Sequence, residues 1–151
     1  MKLTFIIASF TLAFCMTSCT DDTQAFTQKI EATRAELKKQ DSILVLYRTE
    51  ISSIAYTPPP KDGPIKYTIL NVLNAFNDKV HPLITRLELM IEKNKTLLEQ
   101  VKTNTGDAKD VERDYTAQVD ELELMRPAIA SVKSDYEKII AEVGEDSTKV
   151  K

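Results

Sequence analysis

The chain has 151 residues, with 20 Lys and Arg against 23 Asp and Glu, one His and a formal net charge of −3. That length suits one domain, and a mildly acidic balance without a basic patch argues against nucleic-acid binding. Three glycines, no Trp and few aromatics argue against a β-rich fold.

The first segment has three parts. Met1-Lys2 is a short basic start, Leu3 to Phe14 is an apolar run, and Met16-Thr17-Ser18-Cys19 ends in two small residues and a cysteine. This is the layout of a secretory signal peptide. The run is shorter than the roughly 20 apolar residues a membrane-spanning helix needs. The four residues Met16 to Cys19 resemble the lipobox of bacterial lipoproteins, with Met16 where that family prefers Leu. The resemblance implies loss of residues 1–18 and lipid attachment to the Cys19 sulfur. Cys15 follows Phe14, whereas Cys19 follows the small Ser18 that a signal peptidase requires. Removal of Cys15 and modification of Cys19 then leave no free thiol and no disulfide. A diacylglyceryl group, with two chains and about 0.8 kcal/mol per buried methylene, anchors durably. Thr20 instead of Asp resembles the sorting pattern for the outer membrane. Asp21-Asp22 resembles an acidic surface-export tag, although acidic residues also suit a helix start. The expected address is therefore the cell envelope, facing the periplasm or the cell surface.

Residues 19–24 are expected to be a lipid-anchored lead into a bundle over 25–144. Three seams with alternating four- and three-residue spacing define its helices. The first runs Phe26, Ile30, Thr33, Leu37, Gln40, Leu44, Tyr47, Ile51, Ile54. The second runs Ile69, Leu73, Phe76, Val80, Leu83, Leu87, Met90, Asn94, Leu97, Val101. The third runs Ala108, Val111, Tyr115, Gln118, Leu122, Met125, Ile129, Val132, Tyr136, Ile139, Val143. Only Thr33, Gln40, Asn94 and Gln118 break the apolar pattern, and buried polar residues of this kind can set register. Leu70, Val72, Ile84, Ile91 and Leu98 widen the second stripe, so that helix is expected to touch two neighbours.

The breaks divide the chain into helices over about 22–56, 65–103 and 107–144. Tyr56 to Lys66 carries Pro58, Pro59, Pro60 and Pro64 with Gly63, and no helix crosses it. Thr103 to Gly106 is the second break, with Asp107 as the next N-cap. Gly144 is expected to end the third helix, leaving 145–151 as a flexible tail. Each helix is about 50–57 Å long by helix rise, and short connections make neighbours antiparallel. The predicted fold is an all-α antiparallel three-helix bundle or coiled coil. Pro82 and Pro127 fall off the seam, and they come level when the second and third helices are folded about their turn. The same folding places Asn94 against Tyr115, a candidate buried hydrogen bond.

The sequence holds little chemistry. His81 is the one histidine, falls beside the seam and has no second His or thiol to share a metal with. Asp120, Glu121 and Glu123 read as a solvated acidic face, because consecutive helical residues point in different directions. Tyr47, Tyr115 and Tyr136 read as core. There is no phosphate loop and no nucleophile with a base beside it. The expectation is a protein without enzyme activity, cofactor or metal.

The proline loop is the candidate recognition element. Pro58, Pro59 and Pro60 favour a stiff polyproline II segment, flanked by Tyr56 and Tyr67. Such a segment loses little entropy on docking, although it also serves as a plain connector. The leading expectation is a lipid-anchored interaction module, acting as an accessory, adaptor or spacer subunit with a protein partner. Two alternatives stay open: a periplasmic chaperone or inhibitor that sequesters a protein or hydrophobic ligand, and a self-assembling structural coiled coil.

Overall fold

A computed structural model describes residues 4–56 and 65–148 and, within them, the side chains of 22–54 and 70–142. Three helices account for the fold: α1 (Thr4–Tyr56), α2 (Ile65–Thr103) and α3 (Ala108–Thr148). No strand occurs among the described residues. The helices form an antiparallel three-helix bundle.

The seams decide what is inside. Leu37, Leu44 and Ile51 of α1, Val80 and Leu87 of α2, and Val132 of α3 lie within the shared core, each at most 2% exposed. Full burial of such a side chain contributes about 1.5–3 kcal/mol. Every seam position with a described side chain is buried or half-buried, except Ala108 in the first turn of α3. Ile84, Ile91 and Leu98 do widen the α2 stripe, whereas Leu70 and Val72 are exposed. Those two lie near the start of α2, where neighbouring helices give less cover.

Ion pairs give the directions. Lys102 near the end of α2 pairs with Glu31 near the start of the described α1 side chains, at 3.0 Å, so α1 and α2 are antiparallel. Lys79 meets Asp135 at 2.8 Å and Arg86 pairs with Glu121, which sets α2 antiparallel to α3. Helix α2 thus touches both neighbours. Helices α1 and α3 run parallel, joined by Thr33 with Tyr115 and by Glu50 with Tyr136.

The turn between α2 and α3 is built from backbone hydrogen bonds. Asn104 adopts a left-handed φ of 51°. The Thr105 amide donates to the Gln100 carbonyl at 2.9 Å and the Asn104 amide to the Val101 carbonyl at 3.3 Å. This is a Schellman termination, which satisfies carbonyls the helix end would orphan. Gly106 follows at φ 97°, a conformation that side chains with a Cβ rarely adopt. Asp107 then caps α3, with its Oδ1 accepting from the Lys109 amide at 2.8 Å.

The observed limits differ from the expected ones at two places. Helix α1 begins at Thr4, well before residue 22, and α3 continues past Gly144 to Thr148. Glycine inside a helix costs about 0.8–1.0 kcal/mol relative to Ala, which a long packed helix absorbs. Of the expected tail, residues 145–148 are helical and 149–151 lie outside the described residues. Pro82 and Pro127 lie inside α2 and α3 at exposed positions. No helix among the searched residues is long and apolar enough to cross a membrane.

Candidate functional site

The sequence-predicted sites fall on both ends of α1. Cys19 lies in the α1 backbone and its side chain is outside the described set. Tyr56 is the last residue of α1 and Tyr67 lies in the first turn of α2, so the two bracket the proline connection. Their side chains, and Pro58, Pro59 and Pro60 altogether, lie outside the described residues. The connection belongs to the end of the bundle opposite the Asn104–Gly106 turn, because α2 runs from one to the other.

The chemistry inside the bundle is concentrated in one polar layer. Asn94 of α2 is 0% exposed and Gln118 of α3 is 4% exposed. The Asn94 Nδ2 donates to Gln118 Oε1 at 2.8 Å, and Gln118 Nε2 donates to the Met90 carbonyl at 2.7 Å. Asn94 Oδ1 is buried without a hydrogen-bond partner among the described residues. The expected partner of Asn94 was Tyr115, one helical turn away. Tyr115 instead shares a 3.0 Å hydrogen bond with Thr33 of α1. The reason is register: Asn94 and Gln118 are equidistant from Gly106, so the chain reverses later than a symmetric fold about the middle of the break. Gln40, the other polar seam residue, stays half-buried and donates to Glu36 Oε1 at 2.8 Å within its own helix.

Two aromatic pairs join α1 to α3. Phe26 and Tyr115 meet edge to face with centroids 5.4 Å apart. Tyr47 and Tyr136 stack at 4.0 Å. The Tyr136 hydroxyl donates to the Glu50 carboxylate. That hydrogen bond, with burial and the negative charge of Glu50, pushes the Tyr136 pKa up to about 12. A tyrosine held protonated in this way is a structural donor, not a base. On the α1–α2 side, burial and the nearby Glu88 raise the Asp41 pKa above the usual carboxylate range. Its Oδ1 is buried without a hydrogen-bond partner.

Among the described residues, the titratable side chains do not gather in one pocket. His81 is exposed on α2. No group of three His, Cys, Asp or Glu among the described residues could hold a metal ion. The concavities are surface depressions. One of about 410 Å³ lies between α2 and α3, with Gln118 and Ala117 on its α3 side and Thr96 on its α2 side. Another, of about 470 Å³, lies on the outer face of α3 alone. Sequence reasoning missed the Tyr47–Tyr136 stack and the exposure of Leu89 and Leu124 beside the α2–α3 depression. The parallel direction of α1 and α3 was the signal for the first, because it brings those two seam tyrosines level.

Comparison with protein-family models, curated proteins and solved structures gives no match for this chain.

Proposed function

We propose that this protein is a lipid-anchored helical interaction module of the bacterial envelope, attached through Cys19, with a protein partner met at the far tip. The observation that carries this reading is the length of α1. Helix α1 runs unbroken from Thr4 to Tyr56, so Cys19 and Tyr56, where the proline connection begins, belong to one helix. The rise between Cys19 and Tyr56 is about 55 Å. A lipid at Cys19 holds the Asn104–Gly106 turn toward the membrane and the tip away from it. The module acts by binding, as an accessory, adaptor or spacer subunit, with Tyr56, Pro58, Pro59, Pro60 and Tyr67 as anchors.

Two substitutions test the two halves of the proposal. Cys19→Ser is expected to abolish fatty-acid labelling and leave uncleaved precursor, while Cys15→Ser leaves labelling intact; the reverse pattern would overturn the anchor assignment. Replacing Pro58, Pro59 and Pro60 with Ala is expected to keep helicity by circular dichroism and lose the partner in co-purification from solubilised membranes. Full recovery with an intact fold would reduce the loop to a connector.

A further inference from the structure

The seam fixes which residues flank it on the outside. Along the face that α2 and α3 share, Ala75, Pro82, Leu89 and Thr96 recur every seven residues on α2. Ala117, Leu124 and Ser131 do so on α3. All seven are exposed and none carries a charge. Four of the charged residues between the stripes are tied in pairs, Lys79 to Asp135 and Arg86 to Glu121. A helix with no further neighbour usually carries charged or polar residues on the face away from its core.

Two of these residues are large and apolar. Leu89 is 54% exposed and Leu124 is 81% exposed. A single exposed Leu needs no explanation. Here the two lie on either side of the Arg86–Glu121 pair, each three residues along its own helix, and the helices run in opposite directions. The 410 Å³ depression opens beside them, bounded by Lys93 on the Leu89 side and by Glu121 on the Leu124 side. An apolar pair next to a shallow trough between two helices has the shape of a helix-in-groove site.

The rim states the charge of the occupant. Asp78 and Glu99 on the outer edge of α2, and Asp120 on that of α3, are exposed and have no ion-pair partner among the described residues. Glu92 has only Lys95, at 3.9 Å. Arg113, on the same edge as Asp120, is held by Asp110 at 2.7 Å and Asp114 at 3.2 Å. Lys93 is the one cation of the trough. The rim is therefore net acidic. A second copy of this chain, docking through the same face, would set acid against acid.

We propose that the outer face between α2 and α3 docks an amphipathic helix of a partner protein, one with leucine-sized residues on one side and Lys or Arg beside them. The surface lies on the shaft of the bundle and is separate from the proline tip. The partner helix makes a fourth member of the bundle at this level. Leu89 and Leu124 are the apolar anchors, and Glu92 and Asp120 are the acidic guides.

The test uses the full-length chain in zwitterionic lipid nanodiscs and a labelled helical peptide of about five turns. The peptide carries Leu at helical spacing and Lys at the remaining surface positions. A counterpart replaces every Lys with Glu. Fluorescence anisotropy is read against empty nanodiscs. The Lys peptide is expected to bind roughly tenfold or more tightly than the Glu peptide, and added salt should narrow that gap. Leu89→Gln with Leu124→Gln should weaken the Lys peptide roughly tenfold while the far-ultraviolet spectrum and thermal midpoint stay unchanged. The Pro58–Pro60 alanine variant should bind as the parent does, which separates this surface from the tip. Equal affinity for the two peptides, full affinity in the Leu variant, or no binding would each overturn the proposal. Self-association that disappears in the Leu variant would give the face to a second copy and overturn it as well.

Discussion

Two tyrosines of α3 fasten it to α1, and the two fastenings differ in kind. Near the α2–α3 turn, Tyr115 meets Phe26 edge to face and shares a hydrogen bond with the neutral Thr33 hydroxyl. Toward the far end, Tyr136 stacks on Tyr47 and donates to the Glu50 carboxylate. The core follows the same division. Ile30, Leu97, Leu98 and Val111 make a small cluster at the turn end. A longer one runs from Leu37 through Leu87 and Met90 to Ile139. Between them sits the buried Asn94–Gln118 pair. The short region has few apolar contacts and a well-capped turn, while the long region relies on packing. An apolar seam can slide by a heptad, and a polar layer with a hydrogen bond to the Met90 carbonyl cannot slide without orphaning buried groups.

The strongest way to break this division is a core truncation on each side of the layer. Leu87→Ala removes a fully buried side chain from the long cluster and is expected to cost about 2–5 kcal/mol in denaturant unfolding. Leu97→Ala lies in the short cluster, which can open locally at the bundle end. Its effect is expected to be smaller and to appear first as faster amide exchange around the turn. Equal global losses, without local exchange at the turn, would make the core one unit. A milder effect comes from the layer itself. Asn94→Ala strands the Gln118 carbonyl and is expected to cost about 1–3 kcal/mol. The double change Asn94→Leu with Gln118→Leu should recover most of that loss. Register is then read by disulfide trapping between α2 and α3, and mixed registers are the expected result.

The smallest effect separates the two tyrosines by pH. The Tyr136 pKa is raised to about 12 in the folded chain, against about 10 for an unperturbed tyrosine. A raised value favours the protonated folded form, so the contribution is complete below pH 10. It is lost as pH rises from 10 to 12. Tyr136→Phe should remove that part of the alkaline loss of stability, whereas Tyr115→Phe should leave it in place. Chemical denaturation at pH 8 and pH 11 reads the difference. A Tyr136→Phe profile that superimposes on the parent would remove the charged fastening from the account.

Most of this architecture was legible because a seven-residue seam constrains every turn at once. The seam positions, the Asp107 cap and the break at Thr103–Gly106 all follow from spacing and turn chemistry. The Asn94 partner was not legible, since pairing across a hairpin depends on how many residues the turn consumes. A Schellman ending followed by Gly106 and the Asp107 cap moves the reversal point toward Gly106. Gly144 was misleading for a local reason. Glycine marks a helix end only where the backbone turns left-handed, and here the helix continues through it. For the candidate sites the position differs. Cys19 rests on the residues before it and the tip on its prolines, whereas the α2–α3 face needed exposure values. Heptad position says where Leu89 and Leu124 point, but not whether another element covers them.

Helix number has a mechanical consequence. Three passes place the start of α1 and the end of α3 at opposite poles of the rod. Tension between those poles runs along the helix axes. The interfaces are then loaded lengthwise, with the seam contacts of a helix strained together instead of one after another from an end. A four-pass bundle, with both ends at one pole, would be peeled open contact by contact. Because forced unfolding is set by the unfolding rate, the odd number of passes gives this rod a shear geometry under any pull applied between its two poles.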